Sequence, residues 1–127
     1  MFHLSRYEKL TCLTPHIPEN AISENEDTTI ARVCFAETIE GCLSSLQHPG
    51  IYFVYVPAEY IFENDKHYPS IYEVKDAEIN KEIWVTRPVS VKCIGIINAQ
   101  NYDWTKEHET DRGKVVQFHY PYHWIMK

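Results

Sequence analysis

The chain has 127 residues, of which 44% are hydrophobic and 13% aromatic, and its formal net charge is −6. This size and composition are typical of a single globular domain, residues 1–127, and exclude a disordered chain. The acidic charge and the scattered arginines leave no basic surface for phosphate groups, so we do not expect the protein to bind nucleic acid.

The four cysteines contain no CxxC pair. Cys34, Cys42 and Cys93 lie in apolar stretches, where thiols usually behave as small buried hydrophobic groups. The chain does not begin with basic residues followed by an apolar run, so no signal peptide is expected. No apolar stretch is long enough to span a membrane. We therefore expect reduced thiols and a cytoplasmic location, although cysteines of this number would form disulfides in a secreted protein.

The first part of the chain predicts two strands separated by a long loop. Phe2–Ser5 is expected to be a short strand, and Ala31–Ala36 has the apolar, β-branched character of a buried strand. Between them, Leu10–Thr29 contains two prolines, an acidic stretch and no apolar period, which indicates a surface loop. Loops of this length in compact domains are often functional.

One amphipathic helix is predicted over about residues 38–47. Thr38 is its expected N-cap, and Pro49-Gly50 ends it. Gly41 weakens the helix by up to about 1 kcal/mol relative to Ala, so tertiary packing must stabilise it. The apolar stripe, at spacings i, i+3, i+4 and i+7, consists of Ile39, Cys42, Leu43 and Leu46.

The second part of the chain predicts mainly strands, which makes the domain α+β with about six or seven strands in all. Asn101–Gly113 is polar and charged without an apolar period, so we expect an irregular connection there. The predicted strands are Ile51–Pro57, the weaker Ile71–Val74, Glu82–Thr86, Ser90–Asn98 and a final strand in Lys114–Lys127 that contains Pro121.

Glu82 and His3 are the first candidates for chemistry. Glu82 should share a strand face with Trp84, and a carboxylate beside an indole is partly desolvated, which suits an electrostatic or proton-transfer role. The alternative is a charge that protects an edge strand from pairing. His3, in the first strand, is either an ordinary surface side chain or an oriented imidazole with a function.

A histidine- and aromatic-rich segment near the C-terminus is a weaker candidate. His119 and His123 would lie on one face of a continuous final strand, although Pro121 interrupts it. No Cys or carboxylate stands at metal-ligand spacing nearby, so no metal is expected. The sequence also lacks the P-loop, dinucleotide-binding, nucleophile-elbow and zinc-protease motifs.

Three short blocks, in the same order along the chain, resemble the ADP-ribosyltransferase superfamily. The resemblance is to the His-Tyr-Glu branch, shared by poly-ADP-ribose polymerases and many small bacterial and phage enzymes. Phe2-His3-Leu4-Ser5 resembles the family's Tyr-His-Gly-Thr block, and Val33-Cys34-Phe35-Ala36-Glu37 resembles its Ile-Tyr-Phe-Ala-Asp/Glu block before a helix. Asn80-Lys81-Glu82-Ile83-Trp84-Val85 resembles the late-strand Asn-Glu-Tyr-Ile-Val block that carries the catalytic Glu.

The resemblance implies a fold of mainly antiparallel strands in a split sheet, and NAD as a substrate. Glu82 would be the catalytic carboxylate, stabilising the positive charge that develops as the nicotinamide–ribose bond breaks. His3 would contact the ribose, and the loop at residues 14–29 would cover the nucleotide or meet the acceptor. ADP-ribose would pass to a macromolecular acceptor, expected to be a protein.

The implied NAD-binding set extends beyond these two residues. The backbone of Leu4 and the side chain of Ser5 would lie near the carboxamide. Arg32 would pair with the pyrophosphate or, alternatively, with the acidic loop before it. The full set is His3, Leu4, Ser5, Arg32, Phe35 and Tyr52.

Three departures from the family pattern leave a second function open. Leu4 stands where the family has Gly, and Cys34 stands where it has Tyr; the nicotinamide-stacking Tyr has no clear counterpart other than Tyr52 or Tyr55. The alternative is a non-catalytic accessory or inhibitor module that acts through protein–protein contacts. Catalysis requires that His3 and Glu82 converge on one pocket. The sequence leaves the oligomeric state open.

Overall fold

The computed structural model describes residues 1–127 as an α+β domain with ten strands and two short α-helices. All paired strands run antiparallel. The predicted α+β class is therefore confirmed, with strands predominating. The helices are α1 (Ile39–Leu46) and α2 (Ala77–Asn80); the strands are β1 (His3–Ser5), β2 (Cys12–Leu13), β3 (Val33–Ala36), β4 (Gly50–Pro57), β5 (Lys66–His67), β6 (Glu82–Val85), β7 (Val89–Ala99), β8 (Trp104–Thr110), β9 (Gly113–His119) and β10 (Tyr122–Met126).

Two sheets meet at the N-terminal strand. The larger has the order β1-β4-β7-β10, with β2 also paired to β7, and the smaller has the order β3-β6-β5. A backbone bridge between Phe2 and Ala36 joins them, with N···O distances of 2.8 and 2.9 Å. The third sheet is the β8–β9 hairpin, which contacts α1 where the Phe118 amide donates to Ser44 Oγ at 3.1 Å.

Helix α1 forms where the sequence predicts it. Thr38 caps its N-terminus by accepting a hydrogen bond from the Gly41 amide at 2.9 Å, and Gln47 ends it in the left-handed conformation. Gly41 permits the close approach of α2, because a Cβ at this position would lie 2.3 Å from the Asn80 carbonyl oxygen. The helix therefore depends on tertiary packing, as its glycine predicts.

The apolar core has two main clusters. The larger packs α1 against the five-stranded sheet, and the smaller lies where strands of both sheets meet. The larger comprises Leu4, Ala36, Ile39, Cys42, Leu43, Tyr52, Val54, Ile97, Ala99 and Tyr120, and the smaller comprises Val33, Phe35, Tyr55, Ile61, Val85, Val89 and Val91.

Several element predictions were wrong. Ile71–Val74 forms turns, in which the Glu73 and Val74 amides donate to the Ser70 carbonyl, so this apolar segment is not a strand. Asn101–Gly113 contains β8, whose polar side chains escape detection because both faces of the hairpin are largely exposed. Lys114–Lys127 forms two strands that separate at Tyr120-Pro121, and the total is ten rather than six or seven.

The structure also bears on the expected burial of the cysteines and on the expected absence of a membrane-spanning helix. All four cysteines are free, but Cys93 is exposed instead of buried; it lies in β7 beside Ile94, where the register with β4 shifts. Cys42 is buried and Cys34 is half-buried, as their apolar context predicts. Neither helix has the length and apolar character needed to cross a membrane.

Candidate functional site

A pocket of about 100 Å³ opens at the junction of the two sheets, beside α1. Its wall is built from β1, β3, α1, the end of α2 and the start of β6, so the segments that resemble the family's blocks come together here. In particular, His3 and Glu82 line the same pocket. The lining residues are His3, Leu4, Cys34, Phe35, Ala36, Cys42, Ser45, Leu46, Asn80 and Glu82.

His3 is a fixed, neutral imidazole. Its Nδ1 donates to the Cys34 carbonyl oxygen at 2.8 Å, and its ring packs edge-on against Phe35 with centroids 5.9 Å apart. Burial lowers the pKa of His3, which outweighs the opposing effect of the Cys34 hydrogen bond. Because a carbonyl can only accept, Nδ1 carries the proton, and Nε2 is left as an acceptor.

Glu82 has one oxygen held and one free. Trp84 Nε1 donates to Oε1 at 2.9 Å, which confirms that the two side chains share a face of β6. Oε2 is buried and has no hydrogen-bond partner. β6 lies between β3 and β5, but β5 pairs only with Trp84 and Val85 and not with Glu82.

The local environment favours the neutral form of the Glu82 carboxyl. Burial is the largest cause that raises its pKa, and the charge of Asp76 acts in the same direction. The Trp84 hydrogen bond and the positive charge of Arg32 oppose them.

Arg32 lies behind this carboxylate rather than in the pocket. Its guanidinium stacks on the Trp84 ring at 3.8 Å, and its side chain is fully buried. Nη1 donates to the backbone carbonyls of Asp27 at 2.7 Å and Ile30 at 3.0 Å. Nη2 forms an ion pair with Glu26 at 3.3 Å, which is the loop pairing that the sequence allowed as an alternative.

Glu26 has a pKa raised to about 7, despite its ion pair with Arg32. The main cause is burial, followed by its hydrogen bond with Glu24 and by the negative charges of Glu82 and Glu24. The Arg32 guanidinium is already hydrogen-bonded to two carbonyls, and it is the positive charge next to both Glu26 and Glu82. The ion pair is therefore too weak to offset the desolvation of Glu26.

Two thiols lie in the pocket wall. Burial raises the pKa of both Cys34 and Cys42 to about 12. Cys42 Sγ donates to the Phe2 carbonyl oxygen at 3.3 Å, so it serves the junction of the two sheets. Both thiols are protonated near neutral pH and are not activated nucleophiles.

The structure brings together part of the predicted set. His3, Leu4, Phe35 and Glu82 line the pocket, whereas the remaining predicted residues do not. Ser5 Oγ accepts from the Tyr7 amide at 3.0 Å. The outlying residues are Ser5, Arg32 and Tyr52.

Tyr52 lies in the core beneath α1. Its hydroxyl donates to the His48 carbonyl oxygen at 2.7 Å, and the Arg6 guanidinium lies 4.2 Å from the centre of its ring. Tyr55 is also fully buried, with its hydroxyl bonded to the Tyr7 carbonyl oxygen at 2.7 Å. Neither tyrosine lines the pocket or offers a stacking surface to a ligand there.

Asn80 is a pocket residue that the sequence did not single out. Its Nδ2 donates to Asp76 Oδ2 at 3.0 Å, and its Oδ1 is buried without a partner. The sequence feature that could have indicated Asn80 as a pocket residue is its position at the start of the block that contains Glu82. Ser45 and Leu46 were also not singled out for the pocket, and their place at the end of α1 was the signal.

The C-terminal histidines do not form a site together. His119 ends β9, stacks on Trp104 with centroids 4.9 Å apart, and bonds Asp103 Oδ1 at 2.7 Å. His123 belongs to β10, across the break at Pro121. No group of three or more His, Cys, Asp or Glu side chains is arranged to hold a metal ion.

The pocket is apolar with several hydrogen-bond acceptors. Oε2 of Glu82 and Oδ1 of Asn80 lack partners, Nε2 of His3 can accept, and no Lys or Arg lines the wall. Such a pocket suits a ring or sugar with hydrogen-bond donors, and its carboxylate can stabilise positive charge. Comparisons with protein-family models, curated proteins and solved structures gave no match.

Proposed function

We propose that this protein is ADP-ribosyltransferase-like: it binds NAD in the pocket and transfers ADP-ribose to a macromolecular acceptor, expected to be a protein. The observation that carries the proposal is that His3 and Glu82 line one pocket. One oxygen of that Glu82 is buried without a hydrogen-bond partner. Two further features support it: the two-sheet split at Phe2–Ala36, and the clustering there of the three blocks that resemble the family.

The residues have distinct roles in this reaction. As the nicotinamide–ribose bond breaks, the ribose takes on oxocarbenium character, and the Glu82 carboxylate stabilises the developing positive charge. His3 Nε2 accepts a hydrogen bond from a ribose hydroxyl. Because Glu82 must be ionised, and burial raises its pKa, turnover decreases as the pH falls through that pKa.

The small pocket limits how NAD can bind. Its volume of about 100 Å³ is below the roughly 300–1,000 Å³ of pockets that enclose drug-sized ligands. One ring of NAD enters beside His3 and Glu82, and the remainder lies across the neighbouring surface. The fixed position of Arg32 behind Trp84 leaves the pyrophosphate without that arginine as a partner.

A thermal-shift titration with NAD tests binding. The variants are His3→Ala and Glu82→Gln, with His123→Ala and Glu78→Gln as matched controls at exposed positions outside the pocket. NAD at about 100 times its dissociation constant should stabilise the wild type by about 2.7 kcal/mol. The stabilisation should weaken in His3→Ala and persist in both controls.

Nicotinamide release tests catalysis. With water taking the place of the acceptor and yielding free ADP-ribose, wild type and the two controls should release nicotinamide from NAD. Glu82→Gln, which keeps the shape of the side chain without its charge, should not. The absence of any thermal shift up to millimolar NAD in the wild type would contradict the proposal.

A set of exposed aromatic side chains favours the second candidate, a non-catalytic module that binds a partner protein. Tyr60, Phe62, Tyr68 and Tyr72 are 74%, 63%, 57% and 67% exposed, and aromatic residues are enriched at protein interfaces. Tyr60 and Phe62 pack edge-to-face at 4.9 Å. Under this function, replacing Tyr60 and Phe62 with Ser should abolish co-purification of a partner, while His3→Ala and Glu82→Gln should leave it unchanged.

A further inference from the structure

The Glu82 carboxylate rests against a buried stack that no ligand can reach. Trp84 and Arg32 are both 0% exposed, and neither lines the pocket. The guanidinium carbon of Arg32 lies 3.8 Å from the centre of the Trp84 ring, and the indole N–H points to Glu82 Oε1 at 2.9 Å. We call these two side chains the Arg32–Trp84 stack.

We propose that Trp84 is a positioning residue for Glu82: its indole N–H holds Oε1 and so directs Oε2 into the pocket, while Arg32 fixes the plane of the indole. The catalytic meaning of this inference rests on the proposed function. The positioning itself is a property of the free protein and is measured without NAD.

The geometry explains why the indole is a suitable anchor. A glutamate side chain has several rotatable bonds, so one retained hydrogen bond limits where its second oxygen can lie. A buried Trp N–H must find a partner, and Glu82 Oε1 is the one it has. Since the ring is covered by Arg32, the N–H cannot turn towards solvent.

The second half of the stack is tied to the long loop. The Arg32 guanidinium donates to the Asp27 and Ile30 carbonyls at 2.7 and 3.0 Å and pairs with Glu26 at 3.3 Å. A planar guanidinium can make these bonds and stack on the indole at once, which a lysine ammonium cannot. The conformation of the loop at residues 26–30 is therefore coupled to the orientation of Glu82.

Several titratable groups surround the carboxylate, and any pH measurement must take them into account. Burial raises the pKa of Glu82, and the Trp84 hydrogen bond lowers it. Burial lowers the pKa of His3 and raises that of the two thiols to about 12, so neither type gains charge near neutral pH. Glu26, whose pKa is raised to about 7, does change charge there. The groups that face Glu82 from the surrounding elements are Arg32, Cys34, Glu26, Asp76, Cys42 and His3.

The test removes the indole N–H of Trp84 in two ways, one of which keeps the bicyclic ring. Trp84→Phe removes the donor, and a benzothienylalanine at position 84, incorporated in its place, keeps the bicyclic shape with sulfur instead of N–H. The pKa of Glu82 is measured in the free protein by carbon-13 NMR of the labelled carboxyl, assigned with Glu82→Gln. Both variants should have a Glu82 pKa about one pH unit above that of the wild type, which is a roughly tenfold lower acid dissociation constant.

Trp104→Phe is the matched control, because Trp104 is 46% exposed on β8, in a different sheet from Glu82. This control should leave the Glu82 pKa unchanged. A merely structural role for Trp84 would lower the melting temperature in Trp84→Phe without moving that pKa. An unchanged pKa in the benzothienylalanine protein overturns the inference.

Nicotinamide release separates this inference from the proposed function. If the wild type turns over NAD, the acid limb of its pH–rate profile should move up by about one pH unit in both Trp84 variants, and kcat should fall more than KM rises. If the wild type does not turn over NAD but the Glu82 pKa still moves, the proposed function fails and the positioning stands. An acid limb at the same pH in all proteins contradicts the positioning.

Discussion

At the scale of single residues, the notable feature is an excess of carboxylates around one guanidinium. Glu26 pairs with Arg32, but the same positive charge also faces Glu82. Burial raises the pKa of Glu26 to about 7, and burial also raises the pKa of Glu82 and Asp76. The folded protein therefore binds protons that the unfolded chain releases between about pH 4.5 and 7.

The stability of the fold should depend on pH through Glu26. A carboxyl whose folded pKa is raised stabilises the fold most below its unfolded pKa, and this contribution is lost as the pH rises through the folded value. Glu26→Gln should therefore reduce the decline in unfolding free energy between pH 5 and pH 7.5, by at most about 3 kcal/mol. Urea unfolding at the two pH values measures this change.

Glu19→Gln is the control for this prediction, because Glu19 is an exposed loop residue outside the cluster. It should show the wild-type pH dependence. A Glu26→Gln protein whose stability declines with pH as steeply as the wild type would contradict the raised pKa of Glu26.

The residue contacts differ in how far sequence could predict them. The Glu82–Trp84 contact follows from strand alternation, since residues two apart face the same side. The placement of Arg32 does not follow from the sequence, because its partners are the backbone carbonyls of Asp27 and Ile30. Every residue has such a carbonyl, so the side-chain pattern does not indicate which ones will bind the guanidinium. Tyr52 was assigned to the cofactor set by type alone, and the alternation of β4 directs it into the core.

At the scale of elements, the contact between α1 and α2 depends on the one glycine of α1. Gly41→Ala would gain up to about 1 kcal/mol in helix propensity, but its Cβ would lie 2.3 Å from the Asn80 backbone oxygen. Backbone must shift to relieve this clash, and overpacking of this kind costs about 1–3 kcal/mol. We expect a net destabilisation of up to about 2 kcal/mol in denaturant unfolding.

Ser45→Ala is a matched substitution at an exposed position of the same helix. It gains helix propensity without a clash, so its stability should equal or slightly exceed that of the wild type. If Gly41→Ala stabilised the protein as Ser45→Ala does, the close approach of α1 and α2 would be wrong.

The elements that the sequence predicted are those with one buried face. Helix α1 and strands β3, β4, β6 and β7 pack on the core, so burial imposes a period on their side chains. Strand β8 has no such face, since most of its residues are exposed and it pairs only with β9. In the turn between β8 and β9, the Arg112 guanidinium donates to the Ile71 carbonyl at 2.9 Å.

At the scale of the whole molecule, the two sheets differ in how well they are protected. Strands β4 and β7 pair along the full length of β4, in the centre of the larger sheet. In the smaller sheet β6 pairs with β3 over its four residues and with β5 over two. Because shorter ladders open at lower free energy, the smaller sheet should unfold locally before the larger one.

Native-state hydrogen exchange in low denaturant measures this difference. Amides of Trp84 and Val85 should exchange through an opening of lower free energy than amides of Val54 and Ile97, which should require global unfolding. All four residues are fully buried, so exposure alone does not separate them. Equal exchange free energies for the two pairs would show that the molecule opens as one cooperative unit.

The four thiols differ in exposure, so their rates of chemical modification can be used to measure access to the pocket. An alkylating reagent should modify the exposed Cys12 and Cys93 quickly and the buried Cys42 only when the wall opens. Cys34 is half-buried and lines the pocket, and its pKa of about 12 keeps it a thiol, so it should react slowly, through the pocket. Peptide mass spectrometry over time would therefore follow reagent access through the pocket at Cys34 and ordinary solvent access at Cys12 in one sample. A small molecule lodged beside Cys34 should slow the first rate and leave the second unchanged, so a compound collection can be screened for pocket ligands without an enzymatic assay.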